Sequence, residues 1–158
     1  MSFEIRPALE NDIPHILAMI REFAGFEKLS DYCEVTEERL RIALFGKTAV
    51  AEAIVAVENN VPLAYAIFYP NFLTFRGQRG FFLEDLYLKP EVRGQNLGEQ
   101  MLRYLAKLSK SRGFERIDFQ VLKSNNQAIK FYKHLGAVVD ESESHFKFTD
   151  QVFQNLSS

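Results

Sequence analysis

Residues 81–108 hold an apolar run closed by proline, then a glycine-bearing turn, then an amphipathic helix, with no spacer between them. Any fold for this chain must accommodate that strand–turn–helix unit. Phe81, Phe82, Leu83, Leu86, Tyr87 and Leu88 flank the acidic pair Glu84-Asp85 and read as a strand. Pro90 ends it, because proline has no N–H for a continuing ladder. Leu97, Met101, Leu102, Leu105 and Leu108 recur three or four apart, with Glu99, Gln100, Arg103 and Lys107 on the other side, so the spacing predicts a helix. Between strand and helix lies Arg93-Gly94-Gln95-Asn96-Leu97-Gly98. Two glycines and an asparagine ahead of a helix can take positive φ and turn N–H groups outward, where the helix dipole already favours an anion. A strand-to-helix turn needs pliant residues in any case, but Arg93 and the acids upstream weigh toward a phosphate-bearing ligand.

The rest of the chain reads in order. Residues 3–7 alternate and form a short first strand ended by Pro7. Asn11 or Asp12 caps a helix whose buried stripe is Ile13, Ile16, Leu17, Ile20, Phe23 and Ala24, with Gly25 as its stop. A loop over 26–31 leads to Thr36, the cap of a second helix through Leu40, Leu44 and Phe45 to Gly46. Apolar runs over 49–58 and 61–72 are joined by Asn59-Asn60, the pattern of a two-residue hairpin. Residues 73–80 read as a polar loop. The third helix ends with Lys110, Arg112 and Gly113. Residues 115–122 alternate as a strand, Asn125 or Asn126 starts a fourth helix through Ala128, Ile129, Phe131, Tyr132 and Leu135 to Gly136, and two last strands are expected near Val138 and over 145–152. The order β, α, α, β, β, β, α, β, α, β, β is a mixed α/β pattern.

The 158 residues fit one domain, 1–158, large enough for a continuous core. Apolar content of 47% and charged content of 25% are ordinary for a globular protein. No run approaches the eighteen apolar residues of a membrane span and the first residues lack a signal-peptide core, so a cytoplasmic location is expected. Cys33 is the single cysteine, which excludes an intrachain disulfide and a Cys/His zinc cluster. His15, His134 and His145 lack ligand spacing, so no metal is expected. A net charge of −2 argues against a nucleic-acid partner, which would want a basic face.

Arg93 to Gly98 resembles the R/Q-x-x-G-x-G/A acyl-CoA pyrophosphate loop of the GNAT superfamily of N-acetyltransferases. Leu83-Glu84-Asp85 and the segment 125–136 are similar, more narrowly, to the diamine (spermidine/spermine) acetyltransferases and their thialysine-acetylating relatives. Asn96 departs from the pattern, standing at the motif's middle glycine, but asparagine is the next most tolerant residue of left-handed geometry. The resemblance implies a GNAT fold, a mixed central sheet splayed between the strands 81–88 and 115–122 with about four helices packed on it. It also implies acetyl-CoA as co-substrate and a homodimer. Backbone groups of Leu86, Tyr87 and Leu88 would meet the pantetheine arm and the oxyanion. Arg93, Gly94, Gln95, Asn96, Leu97, Gly98 and Glu99 would hold the pyrophosphate, and Asn125, Asn126, Gln127 and Ala128 the far side of CoA. Tyr132 would also contact the cofactor and protonate the departing sulfur. Phe26, Glu27, Glu84, Asp85, Asp118, Phe119, Gln120 and Glu143 would gather at the acceptor.

Acetyl transfer to an amine needs a neutral nucleophile, support for the oxyanion and a proton for the thiolate. An alkylamine with a pKa of about 10.4 is protonated at neutral pH, so something must take its proton. By similarity Glu84 is the candidate base, through water. Adjacent strand residues face opposite sides, so only a bulge would let Glu84 and Asp85 share a pocket, and without one Asp85 is a supporting acid. Each residue also has a plainer reading: Glu27 as a solvated loop carboxylate, Glu84-Asp85 as a surface strand face, Tyr132 as a packed aromatic beside Phe131. The expected function is acetyl-CoA-dependent acetylation of a small cationic amine in a ternary complex. Transfer to another amine, or non-catalytic acyl-CoA binding, is the alternative.

Overall fold

The computed structural model describes residues 2–158, which form two compact units, one extending to Gln120 and the other Val121–Ser158. In the first unit five strands lie in sequence order: β1 (Glu4–Pro7), β2 (Glu52–Glu58), β3 (Val61–Leu73), β4 (Gln78–Leu88) and β5 (Arg116–Phe119). The pairings are antiparallel up to β4, and β4 and β5 run parallel. Asn59 and Asn60, at φ 51° and 64°, make the expected hairpin turn between β2 and β3. The polar loop expected over 73–80 is shorter, a turn over 74–77: β3 runs to Leu73 and β4 starts at Gln78, so half of the segment is ladder. Polar side chains on an exposed hairpin end conceal a strand, because its stability there comes from backbone pairing.

Helices α1 (Ile13–Phe26) and α2 (Glu37–Phe45) cover one face of the sheet, burying Ile13, Ile16, Leu17, Leu40 and Leu44 against Val55, Val57, Tyr65 and Tyr87. Helix α3 (Leu97–Ser111) covers the other, burying Leu97, Met101 and Leu105 against Ile54, Ala64, Ala66, Phe68, Phe81 and Leu83. Thr36 caps α2 as expected, its hydroxyl accepting from the Arg39 N–H. Asp12 precedes α1 but does not cap it. Its carboxylate accepts from the Leu9 N–H and from both terminal nitrogens of Arg6, fixing β1 to the helix start. Gly80 lets β5 approach β4, since a Cβ there would run into the Arg116 backbone.

In the second unit Asn125 caps α4 (Asn126–His134), its side chain accepting from the Ala128 N–H. A fifth helix, α5 (Asp150–Ser157), takes the end of the segment 145–152 where the second of the two last strands was expected. Residues 137–149 contain no strand. One expectation is corrected here: neither terminal strand forms. Alternation at Phe146 and Phe148 marks a segment able to be a strand, but a strand exists only as part of a ladder. Val152, Phe153 and Leu156 follow at the three-to-four spacing of a helix.

Candidate active site

The register of β4 against β3 slips once. Ile67 pairs with Asp85 and Phe68 with Leu83, which leaves Glu84 as an extra residue, a β-bulge. The bulge inverts the alternation of the strand. Before it, Phe81 and Leu83 pack toward α3; after it Leu86 and Leu88 do so, while Tyr87 packs toward α1. Glu84 and Asp85 therefore both turn toward the α1 side, where Tyr69 and Tyr65 meet them. The Tyr65 hydroxyl donates to Asp85 Oδ2 at 3.0 Å and the Tyr69 hydroxyl to Glu84 Oε2 at 3.4 Å. Neither acid has a basic partner among the described residues. Burial pushes the half-buried Asp85 carboxyl above the usual carboxylate range and the Glu84 charge adds to this, against the Tyr65 hydrogen bond. Burial, and then the neighbouring acid, raises both phenols: Tyr65 well above its ordinary value, Tyr69 less strongly.

β5 stops where Phe119 pairs with Leu83, so β4 continues from Glu84 to Leu88 with no strand on that side. This is the expected splay, and it leaves one backbone edge at Leu86, Tyr87 and Leu88 without a ladder. The chain then makes a short turn over Pro90–Val92 and reaches Arg93. Gly94 has φ 74° and no atom within 4 Å of where a Cβ would stand, so the ground above it is open. Asn96 is left-handed at φ 63° and precedes the first turn of α3, where Leu97, Gly98 and Glu99 follow. The asparagine thus adopts the conformation for which the motif keeps a glycine. Open space at Gly94, a left-handed Asn96 and a helix N-terminus fit a pyrophosphate.

Residues 17–137 match the Acetyltransferase (GNAT) family. The chain belongs to the GNAT family of acetyltransferases. A thialysine N-epsilon-acetyltransferase of Bos taurus is 35% identical, over 97% of this chain and 96% of its own. An L-ornithine N5-acetyltransferase of Arabidopsis thaliana is 25% identical, over 99% and 88%. Among solved structures, an integron cassette protein from the mobile metagenome of V. cholerae superposes with a TM-score of 0.83 at 23% identity, covering 99% of this chain and 98% of that one. This acetyltransferase is an acetyl-CoA-dependent enzyme, and acetyl-CoA, when bound, supplies the thioester acetyl group.

The remaining expected residues of the acetyltransferase are distributed as follows. Phe26 ends α1, half exposed, and Glu27 is the residue that caps it. Asp118 on β5 accepts two 2.7 Å hydrogen bonds from Arg116, so this acid already has a cation. Phe119 ends β5 and Gln120 follows it, exposed. In the second unit Tyr132 lies on α4 with its ring 5.1 Å from that of Phe131, Asn125 to Ala128 form the start of that helix, and Glu143 is exposed on the irregular segment. Sequence reasoning missed Tyr65 and Tyr69, the partners of the acidic pair. Only part of their signal was present: both share one parity of β3, but Phe81, Phe82 and Leu83 before the acids and Leu86, Tyr87 and Leu88 after them are apolar at both parities, so the sequence does not mark the bulge.

Proposed function

We propose that the enzyme transfers the acetyl group to a primary amine of a small acceptor carrying more than one positive charge: a diamine, a polyamine or a thialysine-like amino acid. The observation that carries this reading is the bulged acidic pair. Two carboxylates are brought to one face, one of them with its pKa raised by burial, and among the described residues their hydrogen-bond partners are phenols. A partly desolvated acid without a cation is costly, and an ammonium from outside the protein would relieve that cost. The names of the thialysine and ornithine relatives point to acceptors with two amino groups.

In this reading the amine attacks directly in a ternary complex. Glu84 takes the amine's proton through water, and the open edge of β4 at Leu86 to Leu88 donates to the developing oxyanion. The carbon–sulfur bond breaks, and the thiolate takes the phenolic proton of Tyr132. The turn from Arg93 to Glu99 holds the pyrophosphate, and Asn125 to Ala128 meet the far side of CoA. Phe26, Glu27, Asp85, Phe119 and Gln120 line the acceptor's path, with Asp118 and Glu143 as further acids. The family match runs across both compact units, which supports one acetyltransferase domain over 1–158. A homodimer and a cytoplasmic location complete the proposal. Support for the dimer is the exposure of Val138, Phe146 and Phe148 on a strand-patterned segment that forms no strand. No helix among the described residues is long and apolar enough to cross a membrane.

The test is acetyl-CoA consumption over diamines, polyamines, thialysine, ornithine, neutral amines and peptides. Multiply charged small amines should be the best acceptors. Equal rates for charged and neutral acceptors would remove the acidic pair from the site.

A further inference from the structure

Arg93 opens the turn assigned to the pyrophosphate, yet its side chain leaves that turn. Its Nε donates to the Leu88 carbonyl at 2.9 Å, bracing the end of β4. Its guanidinium carbon lies 5.1 Å from the centroid of the Phe26 ring and 5.4 Å from that of Tyr87. The Tyr87 ring stacks on Phe23 at 5.3 Å and stands 6.3 Å from Phe26. One side chain therefore joins the turn to the last residue of α1, from which the acceptor segment departs through Glu27 and the left-handed Lys28 at φ 58°. Glu22, one helical turn back on α1, faces the Tyr87 hydroxyl and pairs at 3.6 Å with Lys89, the residue after β4, so the same corner also carries opposite charges.

From this geometry we infer that Arg93 is a positioning residue that couples the two substrate sites. Its backbone helps shape the phosphate turn, while its guanidinium, over Phe26 and Tyr87, transmits the state of that turn to the end of α1. The inference rests on the cofactor and acceptor assignments proposed above. Coupling of this kind is reciprocal: whatever disturbs the acceptor side must alter affinity on the phosphate side. A cation–π contact of ordinary exposed strength corresponds to about a two- to five-fold change in affinity.

The test is a double-mutant cycle read by calorimetric affinity for CoA, using wild type, Phe26→Leu, Arg93→Met and the pair. Phe26 is 55% exposed, so Phe26→Leu removes the ring without opening the core. Phe26→Leu should weaken CoA binding about two- to five-fold in the wild-type background and not further once Arg93 is Met. No effect of Phe26→Leu, or an equal loss in both backgrounds, overturns the coupling. If Arg93→Met does not fold, Arg93→Lys takes its place, keeping the charge and losing the planar stacking; if neither folds, the single Phe26→Leu value decides. Failure of the wild type to bind CoA is a different result, and it contradicts the cofactor assignment itself.

Discussion

Asp85 and Glu84 lie on one face of β4 with phenols as their partners, and two like charges so close make ionisation of the second harder. The sign of the consequence is definite. A carboxyl whose pKa is raised in the folded state favours folding below the unfolded value of about 3.9 and costs stability as pH rises through that value toward the folded one. A cationic acceptor opposes this by stabilising the ionised form. Amine kcat/KM should therefore fall as pH drops through a value above the usual carboxylate range. Asp85→Asn should erase that limb of the pH–rate profile and raise Tm at neutral pH in the absence of amine. Glu84→Gln should raise the amine KM or shift the apparent pKa of the reaction upward. Tyr132→Phe keeps the ring and loses only the hydroxyl. A positioned acid for a thiolate of pKa about 8.5 contributes on the order of 10²-fold, so kcat should fall by that factor while the calorimetric Kd for acetyl-CoA stays within a few-fold. Unchanged kcat would make Tyr132 a packing residue.

Among the elements, the strand–turn–helix unit is the one whose function depends most on backbone shape. Acetyl-CoA should raise Tm by binding the folded state alone, and Gly94→Val should abolish that rise, because a β-branched residue is strained at φ 74°. The start of α1 is held differently. Burial alone would raise the Asp12 carboxyl, but the Arg6 hydrogen bonds and the Leu9 N–H outweigh it and hold its pKa below the usual value. That stability is present above the unfolded pKa and lost as pH falls through the folded one. Asp12→Asn should cost about 3 kcal/mol, a drop in Tm of roughly 10 °C by calorimetry. The hairpin at Asn59-Asn60, the Thr36 and Asn125 caps and the α3 stripe were legible in the sequence, because each is set by local backbone or side-chain preference. The bulge at Glu84 was not legible, since residues 81–83 and 86–88 are apolar at both parities and the slip depends on what β3 places opposite. The C-terminal segment misled for the same reason: alternation states that residues 145–149 can pair, and pairing requires a partner strand that local sequence does not specify.

At the scale of the whole molecule, the exposed apolar side chains of residues 137–149 and of α5, Phe153 and Leu156 among them, are where a second copy is expected to dock. Light scattering should give twice the 18.3 kDa chain mass, and Phe146→Glu with Phe148→Glu should return the monomer. A monomeric wild type would remove the homodimer from the proposal. Acceptor choice is the property on which the reading of the entire enzyme depends, and one comparison isolates it: kcat/KM for 1,5-diaminopentane against pentylamine, which differ by a single terminal amine, in wild type and in Asp85→Asn. A second ammonium met by a desolvated carboxylate should favour the diamine by about tenfold or more, as for hydrogen bonds and pairs involving charge, and Asp85→Asn should reduce that preference several-fold while leaving the monoamine value little changed. A preference near unity in the wild type, or one untouched by Asp85→Asn, would contradict the assignment of the bulged acidic pair as the acceptor's cation site.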